Sequence, residues 1–238
     1  GTEEERQRIL AAALARGAEY VDLEWRAAFA AALLQHTGGA RIVLSSHDFT
    51  GVPADLADRV RAMQASGAEI VKVAVTPSTL VEGLTLRELT RPRGVVAIGM
   101  GDTGLPTRLL AAHLGSCWTY AGNGIAPGQI PADRMVAEFR FREVSPATTV
   151  FGLVGTHVAA SRSPAMHNEW FREAGIDAVF VPLPTRSFDD FLAFADAVDL
   201  QGAAVTIPFK LDALRAATRA DEDARRVGAS NTLRRVDG

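Results

Sequence analysis

EIVKVAVT, residues 69–76, is a run of β-branched and small apolar residues interrupted by one lysine. In an extended chain the side chains alternate, so Val71 and Val73 face one side while Ile70, Lys72 and Ala74 share the other. Apolar on both sides apart from that lysine, the run suits a strand covered on both faces, as in the parallel sheets of α/β folds. The pattern repeats outward from it. RIVLSSH (41–47) and EYVDLEW (19–25) come before, GVVAIGMG (94–101) comes after, and CWTYAG (117–122) is a short fifth candidate. Helical patterns alternate with them over 3–17, 26–37, 54–67, 78–90, 105–115 and 132–141. Strand–helix units at this spacing predict parallel strands joined by right-handed crossovers. Five units fit an open sheet, or an eight-stranded barrel without its first three strands.

At Ser145-Pro146 the pattern resets, which places a linker near residues 143–148 and divides the chain into 1–145 and 146–238. TVFGLVG (149–155), AVFVPLP (178–184), GAAVTIP (202–208) and NTLRRVDG (231–238) then read as strands. SPAMHNEWFREAG (163–175), SFDDFLAFADAV (187–198) and LDALRAATRADEDARRVG (211–228) read as the helices between them. The 238 residues carry 47% hydrophobic and 22% charged side chains and a net charge of -3. That balance gives no electrostatic footprint for nucleic acid or for an anionic membrane surface. No apolar run reaches the roughly 18 to 20 residues of a membrane span. A single cysteine, Cys117, excludes an internal disulfide framework and a multi-cysteine metal site, and fits a reducing, cytoplasmic setting. GTEEERQRIL is neither a signal peptide nor a basic transit segment, and it opens directly on a helix.

Of the 25 basic residues only Lys72 and Lys210 are lysine. Where arginine supplies nearly every positive charge, a remaining lysine marks a place that needs a primary amine. An unpaired ammonium in apolar surroundings loses solvation, and its free amine becomes a nucleophile toward a carbonyl. His47 ends the preceding strand. Reactive groups gather at the C-terminal ends of parallel barrel strands, so amine and imidazole are expected to face one cavity, as imine chemistry with proton transfer requires. GMGDTG (99–104) has the G-x-G-x-x-G spacing of a dinucleotide turn. The ribose-binding acid expected about 20 residues later is missing, since residues 105–132 hold no Asp or Glu. A tight turn that positions Arg108 for a carboxylate is the better account. His36 and His113 are read as structural, His167 as a local hydrogen-bonding residue and Cys117 as core.

SSHDF (45–49), EIVKVAVTP (69–77), GMGDTGLPTRLL (99–110) and APGQI (126–130), in that order, resemble the motifs of type I 3-dehydroquinate dehydratase, a class I aldolase-like (β/α)8 TIM-type barrel. FGLVG (151–155), SRSPAMHN (161–168), AAVTIPFK (203–210) and GASNTL (228–233) resemble the substrate-binding domain of shikimate dehydrogenase. The fold class implied is α/β: an incomplete barrel followed by an α/β substrate lobe. The order is that of the bifunctional enzymes of aromatic amino-acid biosynthesis.

The resemblance implies that Lys72 forms an imine with the C3 ketone of 3-dehydroquinate. His47 takes the C2 proton and assists loss of the C1 hydroxyl, while Arg108 and Gln129 hold the carboxylate and hydroxyls. In the second unit it implies that Ser161 and Ser163 bind the shikimate carboxylate. Thr206 and Asn231 contact the ligand, and Lys210 serves proton transfer at the C3 oxygen. The substrates implied are small molecules (3-dehydroquinate, 3-dehydroshikimate and shikimate). No cofactor or metal is implied for the dehydratase, and NADP is implied for the dehydrogenase. Three departures stand out. The family's E-x-R pair and R-x-x-x-E-G-G segment, whose Glu orients the catalytic His, are not in the sequence, and Gly1 matches the last glycine of that segment. Ile125 stands where the family has Ser. The dehydrogenase's substrate Asp and its NADP-binding domain are expected beyond Gly238. The chain therefore reads as an internal fragment with little or no dehydrogenase turnover. The alternatives are another class I aldolase-type enzyme, or an inactive module that binds a shikimate-like ligand.

Overall fold

A computed structural model describes residues 1–91 and 94–236. The elements run in the order α1 (Glu3–Ala15), β1 (Val21–Glu24), α2 (Ala30–Thr37), β2 (Ile42–Asp48), α3 (Leu56–Ala65), β3 (Ile70–Val75), α4 (Leu80–Thr90), β4 (Val95–Gly99), α5 (Gly101–Leu109) and α6 (Ala132–Phe139). They continue with β5 (Thr149–Gly155), α7 (Ser163–Glu173), β6 (Ala178–Pro184), α8 (Phe188–Ala197), β7 (Gly202–Val205), α9 (Lys210–Ala216), α10 (Glu222–Val227) and β8 (Thr232–Arg234).

The first sheet has the order β1-β2-β3-β4, all parallel and unclosed, an arc of a barrel wall. Its convex face carries Leu23, Leu44, Val73 and Ala97 against the helices. Its concave face carries Val43, Ile70, Ala74, Val96 and Ile98 under Tyr20, Trp118 and Tyr120. Lys72 lies in that concave row. The expected fifth strand is not formed. Instead residues 116–117 lean on the edge of β4, where the Cys117 N–H donates to the Val95 carbonyl and Ser116 Oγ accepts from the Ala97 N–H. One main-chain bond plus a side-chain bond does not make a ladder. Cys117, expected in the core, is exposed.

The second sheet has the order β6-β5-β7-β8, with β8 antiparallel. β6 is an outer strand, yet every residue of it is buried. Its free edge is closed by side chains. Asn168 of α7 accepts from the Phe180 N–H at 2.7 Å and donates to the Phe180 carbonyl at 2.9 Å and to the Glu138 carbonyl of α6 at 2.9 Å. Arg140 donates to the Ile176 and Ala178 carbonyls. Plugging an edge in this way leaves no template for a foreign strand. The long helix expected over 211–228 is two, because Asp221 caps a fresh start by accepting from the Ala224 N–H at 2.6 Å.

The two sheets share an interior. Leu105 and Leu109 of α5 and Phe139 of α6 lie in one apolar cluster with Val181 of β6 and Phe191 and Phe194 of α8. A polar tie crosses beside it: the Asp190 carboxylate of α8 accepts from the Leu80 and Val81 N–H groups at the N-terminus of α4. Those are two of the donors a helix start leaves unsatisfied, and they favour negative charge.

Candidate active site

Lys72 sits at the middle of β3, level with Ser45 of β2 and Val96 of β4, and is 7% exposed. Its position inside the sheet follows from the alternation of EIVKVAVT. Its pairing departs from expectation: the amine donates to Asp22 Oδ2 of β1 at 2.5 Å. Asp22 Oδ1 accepts in turn from Ser45 Oγ at 2.5 Å. The amine also lies 4.5 Å from the centre of the Tyr120 ring, within cation–π range. A buried ammonium without a counter-charge would be costly, and the carboxylate on the neighbouring face-mate removes that cost.

His47 lies two residues beyond Ser45 on β2, level with Ala74, so its side chain leaves the sheet on the same concave face as Lys72. Its Nδ1 is 2.5 Å from Glu24 Oε1 at the end of β1, and its ring is stacked near Phe49, centroids 6.2 Å apart. The sequence reading found no partner for this imidazole, yet a carboxylate stands beside it. Asp22 and Glu24 are the functional candidates that reading missed. The signal was present in EYVDLEW: Asp22 and Glu24 alternate with the buried Val21 and Leu23, which puts both acids on the concave face.

Arg108, on α5, is 2% exposed. It donates to the Tyr120 and Pro127 carbonyls at 3.2 and 3.3 Å. Its Nε is buried with no hydrogen-bond partner among the described residues. Burial lowers its pKa to about 10, because the charged form loses solvation. Gln129 accepts from the Ala126 N–H through Oε1 at 3.1 Å, closing the loop that holds APGQI. Both residues therefore brace the loop over residues 120–130. Ile125, at its tip, is 92% exposed and lines no interior. The GMGDTG turn is filled: a Cβ on Gly104 would lie 2.3 Å from the Gly99 carbonyl carbon, so the two glycines exist to let helix meet strand.

In the second unit, Ser161 Oγ lies 3.3 Å from Ser163 Oγ and accepts from the Ser163 N–H at the start of α7. Thr206 follows β7, and Lys210 opens α9. Backbone bonds gather these segments, since the Val205 N–H donates to the Asn231 carbonyl and the Ser230 N–H to the Lys210 carbonyl. The β5 and β7 ends thus bring the serine motif, Thr206, Lys210 and Asn231 to one end of the sheet. Lys210 and Asn231 are exposed there. His167 makes no hydrogen bond among the described residues. It stacks on Phe180 with centroids 4.3 Å apart, and burial lowers its pKa.

Residues 1–146 match the family of type I 3-dehydroquinases, and residues 153–233 match the substrate-binding domain of shikimate dehydrogenase. Over its full length the chain is 32% identical to the bifunctional 3-dehydroquinate dehydratase/shikimate dehydrogenase, chloroplastic, of Arabidopsis thaliana, of which it spans 42%. Over 97% of its length it is 26% identical to the pentafunctional AROM polypeptide of Schizosaccharomyces pombe, of which it spans 15%. The 3-dehydroquinate dehydratase structure from Geobacillus kaustophilus superposes with a TM-score of 0.50 at 31% identity, covering 57% of this chain and 58% of that one. None of the described helices is long and apolar enough to cross a membrane. With an unclosed arc of parallel strands, a lysine at its centre and these matches, the chain belongs to the type I 3-dehydroquinase family and carries a shikimate dehydrogenase substrate-binding domain after it.

Proposed function

We propose that residues 1–145 dehydrate 3-dehydroquinate to 3-dehydroshikimate through an imine on Lys72, and that residues 146–238 bind the shikimate-like product. The observation that carries this reading is the buried Lys72 amine on the concave face, paired with Asp22 and sharing that face with His47. In the resting state Asp22 balances the ammonium. On ligand entry the proton passes to Asp22, the free amine adds to the C3 ketone, and loss of water leaves an iminium. The iminium draws electrons from C2, His47 takes the C2 proton, and the resulting enamine expels the C1 hydroxyl, which leaves as water with the proton held on His47. Hydrolysis then frees Lys72. Arg108 and Gln129 receive the carboxylate and hydroxyls when the loop over residues 120–130 exchanges its own bonds to them for bonds to the ligand.

In the second unit this reading gives the carboxylate to Ser161 and Ser163. The ring hydroxyls go to Thr206 and Asn231, and proton transfer at the C3 oxygen goes to Lys210. The described residues do not fit a nicotinamide dinucleotide. Gly99 and Gly104 of the strand–glycine–helix fingerprint are packed against each other, and no acid follows over 105–132. Reduction by NADPH is accordingly assigned to no residue described here. The test is to incubate the chain with 3-dehydroquinate and borohydride and to map the adduct by peptide mass. Covalent mass on the peptide containing Lys72 is the expected result. An unmodified Lys72 peptide, with shikimate still bound, would leave only the binding role.

A further inference from the structure

Tyr120 touches two buried cations at once. Its ring centre lies 4.5 Å from Lys72 Nζ, and its main-chain carbonyl accepts from Arg108 Nη1 at 3.2 Å. With Asp22 on one side of the amine and this half-buried ring on another, Lys72 is 7% exposed. Arg108 is 2% exposed, and no carboxylate among the described residues offsets its charge. Nη1 and Nη2 donate to neutral carbonyls, those of Tyr120 and Pro127, at 3.2 and 3.3 Å, and Nε has no hydrogen-bond partner among the described residues. A guanidinium binds a carboxylate bidentately, through bonds about twice as strong as neutral ones. An entering carboxylate therefore takes Arg108 from the two carbonyls, and one of the bonds it replaces is the bond that holds Tyr120 over the amine.

Resting on the imine reading above for the carbonyl that reacts, we propose that Tyr120 is a specificity-determining residue. Its ring covers the Lys72 amine until the ligand's carboxylate takes Arg108 and releases the Tyr120 main chain. A ketone without a carboxylate meets a covered ammonium. A ketone with one uncovers the amine to which it then bonds. The selection is made before any covalent bond forms, and it is separate from the affinity that Arg108 contributes. An aromatic face suits the task, since it holds a cation through its quadrupole and does not accept the proton, as a second carboxylate would. Asp22 is left as the proton acceptor.

The experiment supplies the ketone and the carboxylate as separate molecules. The full chain is treated with cyclohexanone and cyanoborohydride, in sodium acetate or in sodium chloride of equal ionic strength, and the rate of labelling is read by peptide mass. Lys210, the other lysine of the chain and exposed, is the internal reference. Acetate is expected to raise the labelling of Lys72 relative to Lys210 about 10-fold, the size of a partly desolvated cation–π contact. Tyr120→Leu is expected to label at the raised rate in either salt. Tyr120→Phe keeps both the ring and the carbonyl and is expected to behave as the wild type. Acetate without effect on wild-type Lys72, or an acetate effect that survives in Tyr120→Leu, overturns the proposal. If Tyr120→Leu does not fold, the wild-type comparison of the two salts decides alone. Lys72 left unmodified by 3-dehydroquinate and borohydride, while acetate still raises its labelling by cyclohexanone, sinks the imine reading and keeps the cover.

Discussion

Replacing Asn168 by Ala tests how the second sheet ends. Asn168 is fully buried, and its amide satisfies three main-chain groups: the Phe180 N–H, the Phe180 carbonyl and the Glu138 carbonyl. Among the described residues β6 has no strand on that side, so the two Phe180 groups have no ladder to fall back on. A buried backbone group left unpaired costs about 1–3 kcal/mol. Relaxation and water entry at the edge recover part of three such losses, which leaves a destabilisation of about 3–5 kcal/mol. For a protein of this size each kcal/mol moves Tm by about 2–4 °C, so a fall on the order of 10 °C is expected. Urea unfolding followed by far-ultraviolet circular dichroism, alongside calorimetry, measures both quantities. Asn123→Ala, on an exposed loop, serves as the control. A change below about 1 kcal/mol for Asn168→Ala would show that the edge is not held by this side chain.

Two further outcomes follow from the same contacts. Asp22→Asn removes the charge opposite Lys72 and the acceptor for its proton, so the rate of borohydride-trapped adduct formation should fall about 10-fold, with the extent of labelling at long times unchanged; rapid-quench mass spectrometry measures it, and an unchanged rate would remove Asp22 from imine formation. His167 is harder to protonate in the folded chain than its ordinary value of 6.5, because burial against Phe180 disfavours the charged ring. The unfolded chain thus binds the proton more readily, and stability is lost as pH falls below about 6.5 toward the lowered folded value. His167→Phe should flatten that slope in denaturant titrations at pH 7 and 5, the remainder coming from His113, lowered by burial in the same direction.

Much of the arc was legible because its strands are short runs rich in β-branched and other apolar residues, with β3 and β4 apolar on both faces apart from Lys72, bounded by turns and helices. Lys72 stood out against that pattern, and its place at mid-sheet followed. What stayed hidden was set by neighbours distant in sequence. Asp22 and Glu24 look like solvent-facing acids in EYVDLEW until β2 and β3 are laid beside them, 23 and 50 residues away. CWTYAG has strand composition, but its backbone meets β4 at one bond only. The break in the helix over 211–228 was readable, since Asp221 sits three residues before the N–H it caps, but helix-forming residues on both sides masked it. Arg108 was legible as a cation near the site. That it lies beneath the loop, holding carbonyls, depends on how that loop folds back over α5.

The common interior of the two sheets has a consequence for how the chain comes apart. The peptides over 143–148 look like a hinge between independent halves, yet the leucines of α5 and the phenylalanines of α8 belong to one continuous apolar body, tied by Asp190. A protease that nicks this connection would leave two pieces clasped together. Either piece expressed without the other would turn a greasy flank to water and would need detergent, a chaperone or its missing mate to stay dispersed.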